Sequence, residues 1–100
     1  MGQKKKVGIE MNEQIEKVIN ERKRQDKKWG EQNHSPLLWL SIIGEEFGEM
    51  CKEANEYSFS SDLKRIQDLQ TEAIQCAACC VAMAESLDRT LLKDLTEEER

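Results

Sequence analysis

The sequence predicts an all-α protein, and three observations support this fold class. The chain of 100 residues has one proline and five glycines, which is fewer turn-forming residues than a β protein of this size needs. Three segments place apolar residues at helical spacing, and none shows a convincing strand alternation. A chain this short forms one domain with a modest core. We therefore expect an intertwined helical bundle, completed by oligomerisation with further copies of the chain.

The first predicted helix follows a basic tail, residues 1–8, which we expect to be disordered. From Ile9 to Ile19, isoleucine and valine recur at helical spacing. The charged segment ERKRQDKKW continues the helix, and Gly30 marks its expected end, with EQNHS as the following loop.

The second predicted helix has a clear start signal. Ser35 can cap the free amides, and Pro36 stands at the first helical position, where its missing N–H is harmless. An amphipathic stripe follows at 3-4-3-4 spacing. Its members are Leu40, Ile43, Phe47, Met50 and Ala54. Gly44 and Gly48 interrupt the helix at about 1 kcal/mol each relative to alanine, so we expect another segment to approach closely there.

The third predicted helix runs from Leu63 to Leu87, with Ser60, Ser61 or Asp62 as its cap. Its second half, AIQCAACCVAMA, is apolar nearly all round, so a partner chain is expected to cover it. In the resulting division of the chain, residues 9–90 form a single helical domain. Residues 91–100 add a short helix and a charged tail.

The distribution of charge argues against a nucleic-acid surface. The net charge of −5 divides into +4 for residues 1–28 and −9 for the remainder. No signal peptide opens the sequence, and its most apolar run, of about 12 residues, is shorter than the roughly 20 that span a bilayer. The four cysteines suit helix packing better than a disulfide framework. These features predict a cytoplasmic protein without membrane association.

Five glutamates crowd the second helix in the segment GEEFGEMCKEANEY. At about 100° per residue, Glu46 and Glu53 border the apolar stripe, Glu49 lies beside them, and Glu45 lies further round. Carboxylates on such an edge are partly desolvated and repel one another unless a cation compensates. Arginines and lysines of the chain could do this. The other solution is a divalent cation, because Mg²⁺ takes hard oxygen ligands and bridges carboxylates to phosphates.

A facing helix supplies the further oxygen ligands that such a site needs. Glu72 and Gln75 stand three residues apart in the third helix. Two helices that each present an oxygen pair inward form the usual carboxylate metal site of helical bundles. Glutamates at this spacing are also common on solvated helix surfaces, so spacing alone leaves both interpretations open.

The pattern E46-x-x-E49, twenty-two residues, E72-x-x-Q75 resembles the MazG-like family of all-α nucleoside triphosphate pyrophosphohydrolases. The stretches ERKRQDKKWGEQNH, LLWLSIIGEEFGEMCKEAN and EAIQCAACCVAMAE are similar to small phage and prophage members, and the resemblance covers roughly residues 15–88. The family signature has aspartate where this chain has Gln75. A glutamine can bind Mg²⁺ through its carbonyl oxygen but brings no negative charge.

The resemblance implies a Mg²⁺-dependent hydrolase, with Mn²⁺ as a substitute, that converts a nucleoside triphosphate into a nucleoside monophosphate and pyrophosphate. It implies that the metal is held by a set of five side chains. These are Glu45, Glu46, Glu49, Glu72 and Gln75. A carboxylate not fully used by the metal, Glu45 or Glu49, would position or deprotonate the attacking water.

Three residues of the first helix are candidates for substrate binding. Arg22 and Lys28 could contact the triphosphate, and Trp29 could stack on the base. The alternatives are solvated surface for the two cations and a core-capping role for Trp29.

Two other functions are open for the whole chain. One is a catalytically weak or inactive homodimer or homotetramer that binds nucleotide or a protein partner. Another is a small regulator whose basic segment 22–28 binds nucleic acid, which the acidic body disfavours.

Overall fold

The fold consists of helices connected by short turns. A computed structural model describes residues 3–95 and 97–100. Within these ranges the chain forms three α-helices and one short 3₁₀ segment, with no strand, so the predicted all-α class is confirmed. Met1, Gly2 and Thr96 lie outside the described residues.

Helix α1 spans Gln3–Trp29, so it begins before Ile9, and the segment expected to be a disordered tail is helical from Gln3 onward. Glutamine and lysine are good helix formers, and no proline or helix-capping residue separates this segment from the helix that follows. The end at Trp29 agrees with the prediction. Gly30 adopts a left-handed φ of 72° and its N–H donates to the carbonyl of Asp26 at 2.8 Å, a common way of ending a helix.

Helices α2 and α3 begin at the capping signals in the sequence. Helix α2 spans Pro36–Ser60, and the hydroxyl of Ser35 accepts a hydrogen bond from the N–H of Leu38 at 3.3 Å. Helix α3 spans Leu63–Arg89, and the carboxylate of Asp62 accepts from the N–H of Lys64 at 2.9 Å. Asp62 is thus the cap among the three candidates.

The C-terminal segment does not form the short α-helix expected from Leu91. Turns follow α3 as far as Asp94, and Glu97–Glu99 forms a single 3₁₀ turn. Adjacent glutamates repel one another, and the segment offers too little apolar surface to hold a longer helix against the rest of the chain.

Helix α3 is the centre of the fold, because both other helices pack against it and no Cα atom of α1 approaches α2 within 8 Å in the described chain. Helices α2 and α3 form an antiparallel hairpin. Helix α1 runs parallel to α3, since Arg22 pairs with Glu85 and the carbonyl of Gln32 accepts from Arg89 further along both segments. The three helices thus enclose a cleft between α1 and α2.

The core of the single chain is small. Among the residues whose burial the structure describes, Trp39 is the one large buried apolar side chain, at 2% exposure, and it is joined by Ala78 and Ala82. Phe47, expected on the core side of α2, is 59% exposed. Burial of Trp39 rotates α2 relative to the predicted stripe, so that Met50 lies inward while Phe47 faces out.

The chain exposes more surface than a compact monomer of its mass. Its accessible area is 7671 Å², whereas a folded monomer of 11.6 kDa exposes about 5,800 Å². The radius of gyration is 16.6 Å, compared with about 13 Å for a compact domain of this length. Large apolar side chains on α1 and α2 account for part of the excess. No helix of the described chain has the length and apolarity needed to cross a membrane.

Candidate functional site

Three carboxylates of α2 lie close enough to Glu72 of α3 to influence its pKa. The pKa of Glu72 is raised, first by its partial burial and then by the negative charges of Glu46, Glu49 and Glu53. The proximity of the Glu46 carboxyl group thus acts on the pKa of Glu72 from across the helix hairpin. The helix hairpin therefore brings together the acidic residues on both sides of the predicted site, and their charges remain only partly compensated.

Glu53 is held in this group by an arginine. Its carboxylate accepts from Arg65 at 3.3 Å, and only 12% of its side chain is exposed. The same guanidinium contacts Glu56 at 3.1 Å. Arg65 thus compensates the negative charge at one end of the carboxylate group. At the other end, neither Glu46 nor Glu72 forms an ion pair with a described residue.

Two residues of the predicted metal set occupy different positions. Gln75 lines the same cavity as Glu46, one helical turn beyond Glu72. Glu45 is exposed, about 100° around α2 from Glu46, and it does not contribute to the raised pKa of Glu72. The structure therefore places Glu46, Glu49, Glu72 and Gln75 on one side of the hairpin, and leaves Glu45 on the outside.

A cavity of about 380 Å³ adjoins the carboxylates. It lies in the cleft between α1 and α2, with α3 as its floor, and Glu46 and Gln75 line one end. Trp29 and Trp39 line it as well, together with Arg24. The cavity thus combines acidic, aromatic and cationic walls, and its volume falls within the range of small-molecule sites.

Of the three predicted substrate-binding residues, Trp29 lines the cavity and is half exposed. Lys28 lies over its ring at 4.7 Å and the guanidinium carbon of Arg24 at 5.9 Å, both within cation–π range. Arg24 also forms a two-pronged ion pair with Glu21, at 2.6 and 2.8 Å. Lys28 therefore adjoins the cavity by its contact with Trp29, which lines it.

Arg22 has a different environment from the one predicted. Its guanidinium donates to Glu85 at 2.8 Å, to Asp26 at 3.0 Å and to Gln25 at 3.2 Å. Only 12% of the side chain is exposed, and these acceptors raise the pKa of Arg22. The donors expected to meet a triphosphate are thus used to join α1 to α3.

The carboxylate group suits a divalent cation in its chemistry but is not preorganised for one. Carboxylate and amide oxygens are the ligands that Mg²⁺ prefers, and a cation would relieve the repulsion around Glu72. Within residues 3–95 and 97–100, no three His, Cys, Asp or Glu side chains already converge as a metal-binding group. Side-chain rotation would therefore have to accompany metal binding.

Sequence reasoning missed part of the cavity wall. Gln25 is 8% exposed, accepts from Arg22, and donates to the sulfur of Cys79 at 3.7 Å. Burial raises the pKa of the Cys79 thiol, and the negative charge of Glu46 raises it further. Trp39 completes this wall. No local signal marks these residues, because their meeting depends on the packing of α1 against the hairpin.

Comparison of the chain with protein-family models, curated proteins and solved structures found no match.

Proposed function

We propose that the chain is a Mg²⁺-dependent nucleoside triphosphate pyrophosphohydrolase of the MazG-like kind. The observation that supports this function best is the group of Glu46, Glu49 and Glu72, because Glu46 also lines one end of a cavity with two tryptophans in its other walls. Such a cavity offers a place for the metal-bound phosphates next to one for the base. The free cysteines of the chain are consistent with action in the cytoplasm.

The carboxylates on the inner side of the hairpin would hold the metal. Glu46 and Glu72 are the central pair, with the carbonyl oxygen of Gln75 and the carboxylate of Glu49 beside them. When bound, Mg²⁺ neutralises the phosphates and lowers the pKa of a water molecule. Glu49, on the solvent side of the group, accepts the proton of the attacking water. Glu45, implied by the resemblance, is a weaker candidate because it faces away.

The cavity walls would bind the remainder of the nucleotide. Trp29 offers an aromatic face to the base, and Lys28 adds positive charge beside it, whereas the charge of Arg24 is paired with Glu21. The cavity of about 380 Å³ is comparable to sites that bury most of a small ligand. Arg22 is assigned to the α1–α3 contact in place of the substrate.

Product identification tests this proposal. The protein is incubated with each of the common NTPs and dNTPs and Mg²⁺, and the products are separated by anion-exchange chromatography. We expect nucleoside monophosphate and pyrophosphate in equal amounts from at least one nucleotide, with Glu46→Gln reducing the rate at least 100-fold. Diphosphate and orthophosphate, or no turnover at high protein concentration, would contradict the proposal.

Gln75 supports a second candidate, a helical protein that binds nucleotide or a protein partner with little or no turnover. Replacement of the signature aspartate removes one negative charge, and no closed set of ligands exists in the described chain. The variant Gln75→Asp separates the two. A large gain in turnover indicates a complete site limited by this residue, whereas nucleotide binding without turnover in both forms favours the binding protein.

Self-association completes the proposal. The chain exposes about 1,800 Å² more than a compact monomer, and a stable homodimer buries roughly 1,000–2,500 Å² on each partner. We propose a homodimer or homotetramer whose contacts cover apolar surface on α2 and the apolar half of α3. Sedimentation equilibrium at micromolar protein concentration measures the stoichiometry, and a monomer at all concentrations contradicts this part of the proposal.

A further inference from the structure

One face of α2 is apolar, uncharged and exposed in the single chain. We call it the α2 outer face. It consists of Leu37, Leu40, Gly44, Phe47, Gly48 and Cys51, all of which are exposed. At 100° per residue these six positions fall within an arc of about 100°, whose centre lies roughly 130° from the Trp39 side of the helix. It is therefore a second apolar face, separate from the one that packs on α3.

The two glycines of this face have no role within the chain. A Cβ atom added at Gly44 or Gly48 would meet no other atom within 4 Å. Both glycines are helical, with no positive φ that would require glycine. Each costs a helix about 1 kcal/mol relative to alanine. The close approach that the sequence predicts at this point is thus absent inside the single chain, and the two glycines remain unexplained by its fold.

We infer that a second copy of this chain packs on the α2 outer face, with the two α2 helices crossing at Gly44 and Gly48. Absence of side chains at these positions lets two helix axes approach more closely than the usual separation, while the flanking Leu40 and Phe47 pack on each side. These flanking side chains are 55% and 59% exposed in the single chain.

Three observations favour a second copy over another occupant. The excess surface of about 1,800 Å² per chain matches what a stable homodimer buries. The face carries no charge, so two copies of a chain with net charge −5 can meet there without direct repulsion. The carboxylates Glu46, Glu53 and Glu72 lie on the other side of α2 from this face. Each copy would therefore keep its own cavity open to solvent.

The inference rests on the proposed self-association but not on the proposed hydrolysis, and its test needs neither metal nor nucleotide. Dissociation constants are measured by sedimentation velocity from about 1 to 300 μM protein, for wild type and for Gly44→Ala and Gly48→Ala. The matched control is Gly8→Ala, because Gly8 is also helical and also has room for a Cβ atom, with nothing within 4 Å, but lies on α1.

The two explanations of the glycines predict opposite signs. If the glycines form a crossing, a methyl group at either one obstructs it, and the dissociation constant rises about tenfold or more, whereas Gly8→Ala leaves it unchanged. If they are merely exposed, both substitutions behave like Gly8→Ala: alanine strengthens the helix and raises the melting temperature by up to roughly 4–8 °C, with association unaltered. That second result, or a wild-type chain that is monomeric throughout, overturns the inference.

A second variant separates the loss of the interface from a loss of folding. Phe47→Glu adds a charge to the centre of the face while removing an exposed aromatic side chain that the single chain does not bury. We expect a monomer with an unchanged helical circular-dichroism spectrum. A variant that stays fully associated places the second copy elsewhere and contradicts the inference. The hydrolysis assay is run separately on the same preparations, so loss of association and loss of turnover are recorded independently.

Discussion

Arg22 has two competing roles, substrate binding and the contact between α1 and α3, and a substitution can separate them. The sequence offers Arg22 as a candidate for contact with the triphosphate or as solvated surface, whereas in the structure its guanidinium joins α1 to α3 through Glu85 at 2.8 Å. The perturbation is Arg22→Gln, examined alone and together with Glu85→Gln, with Lys23→Gln as the control. Lys23 is the next residue of α1 and is exposed, so its replacement removes the same charge from nearly the same place.

The magnitude follows from the contacts. A hydrogen bond between charged groups is worth about 1.5–3 kcal/mol, and removal of one partially solvated partner falls at the lower end of that range. The side chains of Arg22 and Glu85 are 12% and 43% exposed, so water can solvate the glutamate that remains. We expect Arg22→Gln to lower the free energy of unfolding by about 2 kcal/mol, with a coupling energy to Glu85 of about 1–1.5 kcal/mol in the double-mutant cycle.

The assay is urea unfolding followed by circular dichroism at one fixed protein concentration. With a slope of about 1.5 kcal/mol per M, the midpoint of Arg22→Gln should fall by roughly 1.3 M, and that of Lys23→Gln by less than about 0.3 M. The KM for nucleotide should stay within about threefold of wild type. A KM that rises tenfold or more, with an unchanged midpoint, would show that Arg22 binds substrate and would refute the structural assignment.

Three further predictions concern the core and the carboxylates. Trp39→Ala should lower the free energy of unfolding by about 3–5 kcal/mol, because it empties the largest buried position; a loss below about 1 kcal/mol would contradict the observed core. The raised pKa of Glu72 means that the folded state holds this proton more tightly than the unfolded state, so metal-free protein should lose stability as pH rises above the ordinary value of 4.5. The Glu72→Gln variant should lose less stability than wild type between pH 4.5 and 7. If the melting temperatures of wild type and variant, measured in EDTA, change with pH in parallel, the raised pKa of Glu72 is disproved. Glu45→Gln should retain activity within about threefold of wild type, whereas Glu46→Gln should lose at least about 100-fold, with activity measured as pyrophosphate release. Equal losses in the two variants would show that Glu45 belongs to the metal site.

The fold was predictable from sequence where local signals determine it. Ser35 and Asp62 cap helices with side-chain oxygens, and Gly30 ends α1 in a left-handed conformation. Each of these signals acts within a few residues, so it can be recognised without knowledge of the packing. The start of α1 and the absence of a C-terminal α-helix were not predicted, because weak helical propensity at chain ends is decided by small energies.

The candidate site was predictable only in part. Glu46, Glu49 and Glu72 follow from spacing along two helices that a short turn makes antiparallel. The outward position of Glu45 agrees with its place on the helical wheel, about 100° from Glu46, and only the resemblance included it in the site. The exposure of Phe47 was not predicted, because burial of Trp39 turns α2 about 60° away from the predicted stripe. Sequence periodicity does not resolve a rotation of half a residue step. The role of Arg22 was missed for a related reason, since the parallel packing of α1 on α3 brings residues 63 positions apart together.

The most direct test of the central claim, a divalent-cation site between α2 and α3, is a Mn²⁺ titration followed by NMR, with Mn²⁺ as a paramagnetic substitute for Mg²⁺. Substoichiometric Mn²⁺ broadens the amide signals of residues close to its binding site. We predict that signals around Glu46 and Glu72 broaden first, that excess Mg²⁺ restores them, and that Glu72→Gln weakens the effect. Broadening that begins at the acidic segment Glu97–Glu99, or that spreads evenly over all acidic residues, would contradict a metal site in the hairpin.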